Sequence, residues 1–321
     1  TRTDYNSLYT LVLLSVMFYM PTIALSNSVA YNALEKAGLD TVTHFPPIRV
    51  WGTVGFICAM WVVDLGKMGL SATQLYFSAT LGLILGLYSF TLPNCPINRS
   101  GGGKSIVDLL GLRAFALFKQ RKMAIFFIFS MLLGMSLQIT NAFADGYIKS
   151  FGDTGIHGAK YLGTFGVEHS TILISLSQIS ETLCILLIPF FLKRFGIKRV
   201  MLIAMFAWVL RFALLGAGNP GPGVWMFILS MIVYGVAFDF FNISGSLFVE
   251  KETSAAIRSS AQGVFMIMTN GLGALIGSYL AGWVVNHYGW PLSWYLFAGF
   301  SLVVAIVFAV IFKYKHDPNR I

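Results

Sequence analysis

Charge is scarce in this chain. Of 321 residues only 13 are acidic and 22 basic, so charged side chains make up 11%, against about 25% in a soluble domain. Too few are present to coat a water-exposed surface, while 56% of residues are hydrophobic and mean hydropathy is +0.74. Cysteine is scarce too. Cys58, Cys95 and Cys184 stand at spacings that suit neither a disulfide framework nor a metal site, and read as free thiols. No H-E-x-x-H, G-x-S-x-G or metal-ligand cluster occurs, which leaves an enzyme inside the membrane without machinery. Gly103-Lys104-Ser105 resembles the end of a phosphate-binding loop, but Asn98 stands where that motif needs its earlier glycine. The short alternating segments of a membrane barrel are missing. What remains is the composition of an all-α polytopic membrane protein.

Nine apolar runs are long enough to cross a hydrocarbon layer of about 30 Å: 8–34, 46–65, 72–93, 123–149, 168–192, 200–217, 224–249, 259–284 and 292–312. The net charge of +9 is not spread as a nucleic-acid-binding face. It concentrates in 94–122, in the turn KRFGIKR (193–199) and in the tail after 312, whereas the alternate loops are nearly bare of Lys and Arg. By the positive-inside bias the rich segments and the C-terminus are cytoplasmic, and Thr1 lies on the outer side. An odd number of spans with an outside start predicts a chain whose N-terminus has been cut and whose first helices are missing. Segment 94–122 opens with Pro93-Asn94-Cys95-Pro96, runs through Gly101-Gly102-Gly103 and reads as a linker between 1–93 and 123–321. Within it Ile106 to Lys119 has helical apolar spacing, which predicts an amphipathic helix on the membrane surface. Gly273, Gly277 and Ala281 form a small-residue stripe, the mark of close helix packing.

Asp239 lies in the middle of the seventh run, between Phe238, Phe240 and Phe241. A carboxylate at that depth costs about 2.5–3.5 kcal/mol on insertion scales, so it must face protein or water. Other polar residues recur at helical spacing. Arg49, Thr53 and Phe56 share a face of the second run, Gln138 and Asn141 one of the fourth, Gln178 and Glu181 one of the fifth, and Tyr234 and Phe238 one of the seventh. Any single amide pair is explained as interhelical glue. Four faces with an acid, an arginine and three aromatic rings, and Asp239 beside them, have instead the chemistry of a small-molecule pocket: amides donate and accept, rings stack on a planar group, and buried acids carry protons. Arg211 in the sixth run reads as a structural partner or a headgroup anchor.

The stretches FPPIRVWGTVGFICAMWVV (45–63), LLGLRAFALFK (109–119), LQITNAF (137–143), SQISETL (177–183), PFFLKRFGIKRV (189–200) and SMIVYGVAFDFFNISGSLFVEKE (230–252) resemble the bacterial nucleoside:proton symporters of the major facilitator superfamily. The resemblance implies a fold of twelve helices in two halves, of which the nine runs are helices 4 to 12. It implies a substrate site of Arg49, Thr53, Phe56, Gln138, Asn141, Gln178, Glu181, Tyr234 and Phe238, with Asp239 and Glu181 coupling the proton. It further implies import of purine and pyrimidine nucleosides across the inner membrane by a single chain, driven by the proton gradient without a cofactor. A sugar:proton symporter of the same superfamily competes, and would want more acids and amides and fewer aromatic walls. A non-transporting receptor is the reading from a different class.

Overall fold

The computed structural model describes residues 5–39, 41–69, 71–92, 112–157, 159–254 and 257–314. Those residues hold nine long helices, three short ones (Leu112–Lys119, Thr154–His157 and Phe165–Glu168) and no strand. The chain divides into two compact units, one of Thr1–Ala59 and Gly66–Gly102, the other of Met60–Leu65 and Gly103–Ile321. Helices α1 (Tyr5–Lys36), α2 (Thr41–Leu65) and α3 (Thr73–Ser89) come first. The first unit has most of its described side chains exposed, and Leu34 is the one buried among them.

Six long helices follow in the second unit. Helix α4 is Arg121–Ser150. A continuous helical stretch, Ser170–Ala217, has 48 residues. At 1.5 Å per residue it would reach about 72 Å, more than twice the hydrocarbon thickness. Gly196 breaks it, with φ 76° and ψ 165°, into α5 (170–195) and α6 (197–217). Helix α7 is Val224–Glu252. The last stretch runs through Arg258–Met266, the π-helical Ile267–Gly273 and Ala274–Ile311. Gly289, at φ 70°, divides it into α8 (258–288) and α9 (290–311). The basic turn 193–199 and the loop 285–291 are thus shorter than the sequence predicts. A glycine at positive φ reverses the chain in one residue, so both flanking helices run up to it.

The second unit is apolar outside as well as inside. Phe126, Trp208, Phe248 and Phe308 are buried together with Ser130, Ser136, Ser177, Ser180, Ser230, Ser244 and Ser301, while Leu186, Leu275 and Val310 are about two-thirds exposed. With lipid outside, apolar side chains are not driven inward, and small polar residues in the interior let backbones approach. The Gly273–Ala281 stripe packs as its spacing predicts. A Cβ on Gly273 would stand 2.6 Å from the Met131 carbonyl oxygen, and one on Gly277 2.7 Å from the Met135 Cα, both on α4. Ser136 and Ser301 hydroxyls pair at 3.3 Å between α4 and α9.

Part of the expected amphipathic segment is a 3-10 helix, Leu112–Lys119; residues 94–111 lie outside the described residues. Its Ala114 and Leu117 are buried, and the Phe118 ring packs on Phe127 of α4 at 5.1 Å. The apolar face expected to rest on the membrane surface is covered by the helix bundle.

Candidate functional site

The site is built from the close approach of α5 and α7. A Cβ on Gly235 would lie 2.6 Å from the Ser180 backbone, and the Ser180 hydroxyl donates to the Ile232 carbonyl. Only a glycine on α7 permits this contact, and it presents the next turns of the two helices to one another. Tyr234, 4% exposed, is at the centre. Its ring stacks on Phe238 at 5.8 Å and 17° and meets Trp208 of α6 edge-on at 6.0 Å. Asn141 of α4 lies beside the Tyr234 phenol, and Glu181 of α5 and Asp239 both lie close enough to act on it electrostatically. Four of the seven expected site residues of this unit therefore converge on Tyr234.

Asp239 is the acid withdrawn furthest from the surface, at 2% exposure. One residue beyond Phe238, and so about 100° around the helix, it looks onto α5, where its charge acts on the buried Cys184 thiol. Glu181 is half-buried, as are Gln138 and Gln178, and Asn141 is exposed. The phenylalanines around Asp239 divide their work. Phe240 packs on Phe191 of α5 at 4.9 Å, and Phe241 on Phe126 of α4 at 6.3 Å. Of the three rings, Phe238 is the one not fully buried.

Arg211 is 1% exposed, enclosed by protein rather than open to a headgroup. Its guanidinium covers the Tyr234 ring at 4.6 Å, donates from Nη1 to the Ser230 carbonyl at 2.5 Å and from Nε to the Thr140 hydroxyl at 3.3 Å. A cation over the ring face steadies Tyr234. Arg211 is the structural partner of the two readings that the sequence left open.

Beside Phe238 lies a narrow open cleft, with about 20 Å³ of cavity volume, lined from four helices by Leu133, Gly134, Leu137, Trp208, Ala237, Phe238, Phe241, Asn242, Thr269 and Asn270. Sequence reasoning missed Trp208, Asn242 and Asn270 as pocket residues. Asn242 had a signal, because it follows Phe238 by one helical turn. The remaining expected residues belong to α2 in the first unit. Thr53 is half-buried and Phe56 is 55% exposed, while the Arg49 side chain lies outside the described residues. Among the described residues no group of three or more His, Cys, Asp or Glu side chains is placed to hold a metal ion.

Comparison with known proteins places this arrangement. The family model described as nucleoside H+ symporter matches residues 1–317. The nucleoside permease NupG of Escherichia coli (strain K12) is 52% identical over 321 residues, 98% of this chain and 76% of the permease. The xanthosine permease of the same organism is 50% identical over 326 residues, 99% of this chain and 77% of that one. A crystal structure of the nucleoside transporter NupG, in an aspartate-to-alanine variant, superimposes with TM-score 0.90 at 51% identity, covering 97% of this chain and 78% of the transporter. The fold is that of a major facilitator superfamily transporter, and the chain belongs to the nucleoside H+ symporter family.

Proposed function

We propose that this protein carries purine and pyrimidine nucleosides with protons into the cell by alternating access across the bacterial inner membrane, as a single chain and without a cofactor. The observation that carries the reading is the Tyr234–Phe238 stack, parallel within 17°, with the amide of Asn141 and the acids Glu181 and Asp239 grouped about Tyr234. Stacked aromatic faces suit a planar base. Amides and a half-buried acid suit its edge and the ribose hydroxyls. Gln138, Asn141, Gln178 and Glu181 supply the polar contacts, and Tyr234 and Phe238 wall the base. The family resemblance adds Arg49, Thr53 and Phe56 from α2. Asp239, at 2% exposure, is too enclosed to meet a nucleoside, so it serves in coupling, shared with Glu181. Aromatic walls in place of further acids and amides disfavour the sugar reading.

The test is radiolabelled uridine uptake by cells, wild type beside Asp239→Asn, with and without a protonophore. Wild-type uptake should collapse with the protonophore, and the variant should lose accumulation while remaining in the membrane. Uptake indifferent to both would make the protein a facilitator and the acid structural.

A further inference from the structure

The cleft beside Phe238 holds two amides that the bundle does not use. Asn242 follows Phe238 by one turn on α7 and lines the cleft, and among the described residues no protein group hydrogen-bonds its side chain. Asn270, exposed, lines the same cleft from α8, and its amide reaches only the Met266 sulfur at 3.6 Å, a weak acceptor. An amide in a membrane span is ordinarily glue to a neighbouring helix, which requires a polar partner there, and among the described residues neither asparagine has one. Asn270 is moreover in the π-helical Ile267–Gly273, and such segments, which re-aim side chains, recur at functional sites. The half-buried Phe238 ring stands one turn from Asn242 on the same helix, with the buried Trp208 and Phe241 behind it. A ring beside unused donors and acceptors matches a nucleobase, because an asparagine amide pairs in a plane with a base edge. Ribose hydroxyls need no such planarity.

We infer that Asn242 and Asn270 read the edge of the nucleobase and so set which bases are carried. This rests on the proposal above that the protein carries nucleosides. Uridine and cytidine probe it, since they exchange a ring carbonyl, an acceptor, for an amino group, a donor. A carboxylate only accepts, and pairs with the cytosine amino group. Uptake by the full chain in reconstituted vesicles is measured for both nucleosides in wild type, Asn242→Asp, Asn270→Asp and Asn242→Leu. At least one aspartate variant should shift the cytidine-to-uridine ratio of uptake efficiency by about tenfold towards cytidine, and Asn242→Leu should lose about tenfold with uridine. Should one aspartate variant not reach the membrane, the other decides. Ratios within twofold of wild type in the variants that assemble would overturn the inference, as would an equal loss for both nucleosides. Wild-type vesicles that carry neither nucleoside would instead sink the reading of the protein as a nucleoside carrier.

Discussion

At the scale of single residues, the ties around Tyr234 make distinct demands. Arg211 serves three helices at once: its own, the Ser230 carbonyl on α7 and the Thr140 hydroxyl on α4. Lysine would keep the charge and lose the planar fork that reaches these acceptors together. Arg211→Lys should therefore lower stability by about 1–3 kcal/mol, read as a fall in the thermal midpoint of the detergent-purified protein. A midpoint equal to wild type would show that the fork is dispensable. Glu181 differs, being half-buried and so reachable by water. Glu181→Gln keeps the shape and removes the titrating group. It should leave the midpoint unchanged and abolish uridine accumulation above the equilibrium level, checked with and without a protonophore. Accumulation that still followed the full gradient would exclude Glu181 from coupling.

At the scale of elements, glycine decides how near two helices come. A Cβ on Gly134 of α4 would fall 2.1 Å from the Thr269 carbonyl oxygen of α8, so Gly134→Ala must push those helices apart and open the cleft floor. Gly263, also on α8, has open space where a Cβ would go. Alanine there gains about 0.5–1 kcal/mol of helix propensity without a clash. The two substitutions should move the thermal midpoint in opposite directions, Gly134→Ala downward by several degrees and Gly263→Ala slightly upward. Equal effects would mean that the contact is not as tight as its geometry. The small-residue stripe was legible in the sequence for this reason, as was the phase of Tyr234 and Phe238, fixed by helical spacing alone. The depth of Arg211 and the inward aim of Asn242 and Asn270 were not. In a helix flanked by lipid on one side and protein on the other, both faces are apolar, so hydropathy does not say which face is inside. The single-residue reversals at Gly196 and Gly289 were hidden because polar flanks look like loop whether or not the helix continues through them.

At the scale of the whole molecule, the two ends of the second unit differ in chemistry. At one end Lys122 pairs with Glu252 at 2.6 Å and covers the Tyr314 ring at 4.6 Å, while Lys198 donates to the Ala309 carbonyl at 3.0 Å. At the other, the Phe151 and Tyr161 rings meet edge-on at 5.3 Å, the Asn219 side-chain oxygen accepts from the backbone N–H of Gly221 and Gly223, and the cations Lys149 and Lys160 are accompanied by the acids Asp145 and Asp153. Cation-rich ends stay cytoplasmic because translocating them is unfavourable, and on that bias we propose that the Gly196 turn and Phe312 face the cytoplasm and the 151–165 segment the outside. Cysteine scanning checks this in intact cells, on a background in which the exposed Cys58 and Cys95 are replaced by serine. Lys160→Cys and Lys193→Cys change exposed residues at the two ends. A membrane-impermeant maleimide should label position 160 directly and position 193 only after the membrane is permeabilised. The reverse pattern would invert the orientation, and with it the direction in which Asp239 and Glu181 meet the proton gradient: acids that load from the outer side in the proposed import cycle would load from the cytoplasm, and the same site would drive export.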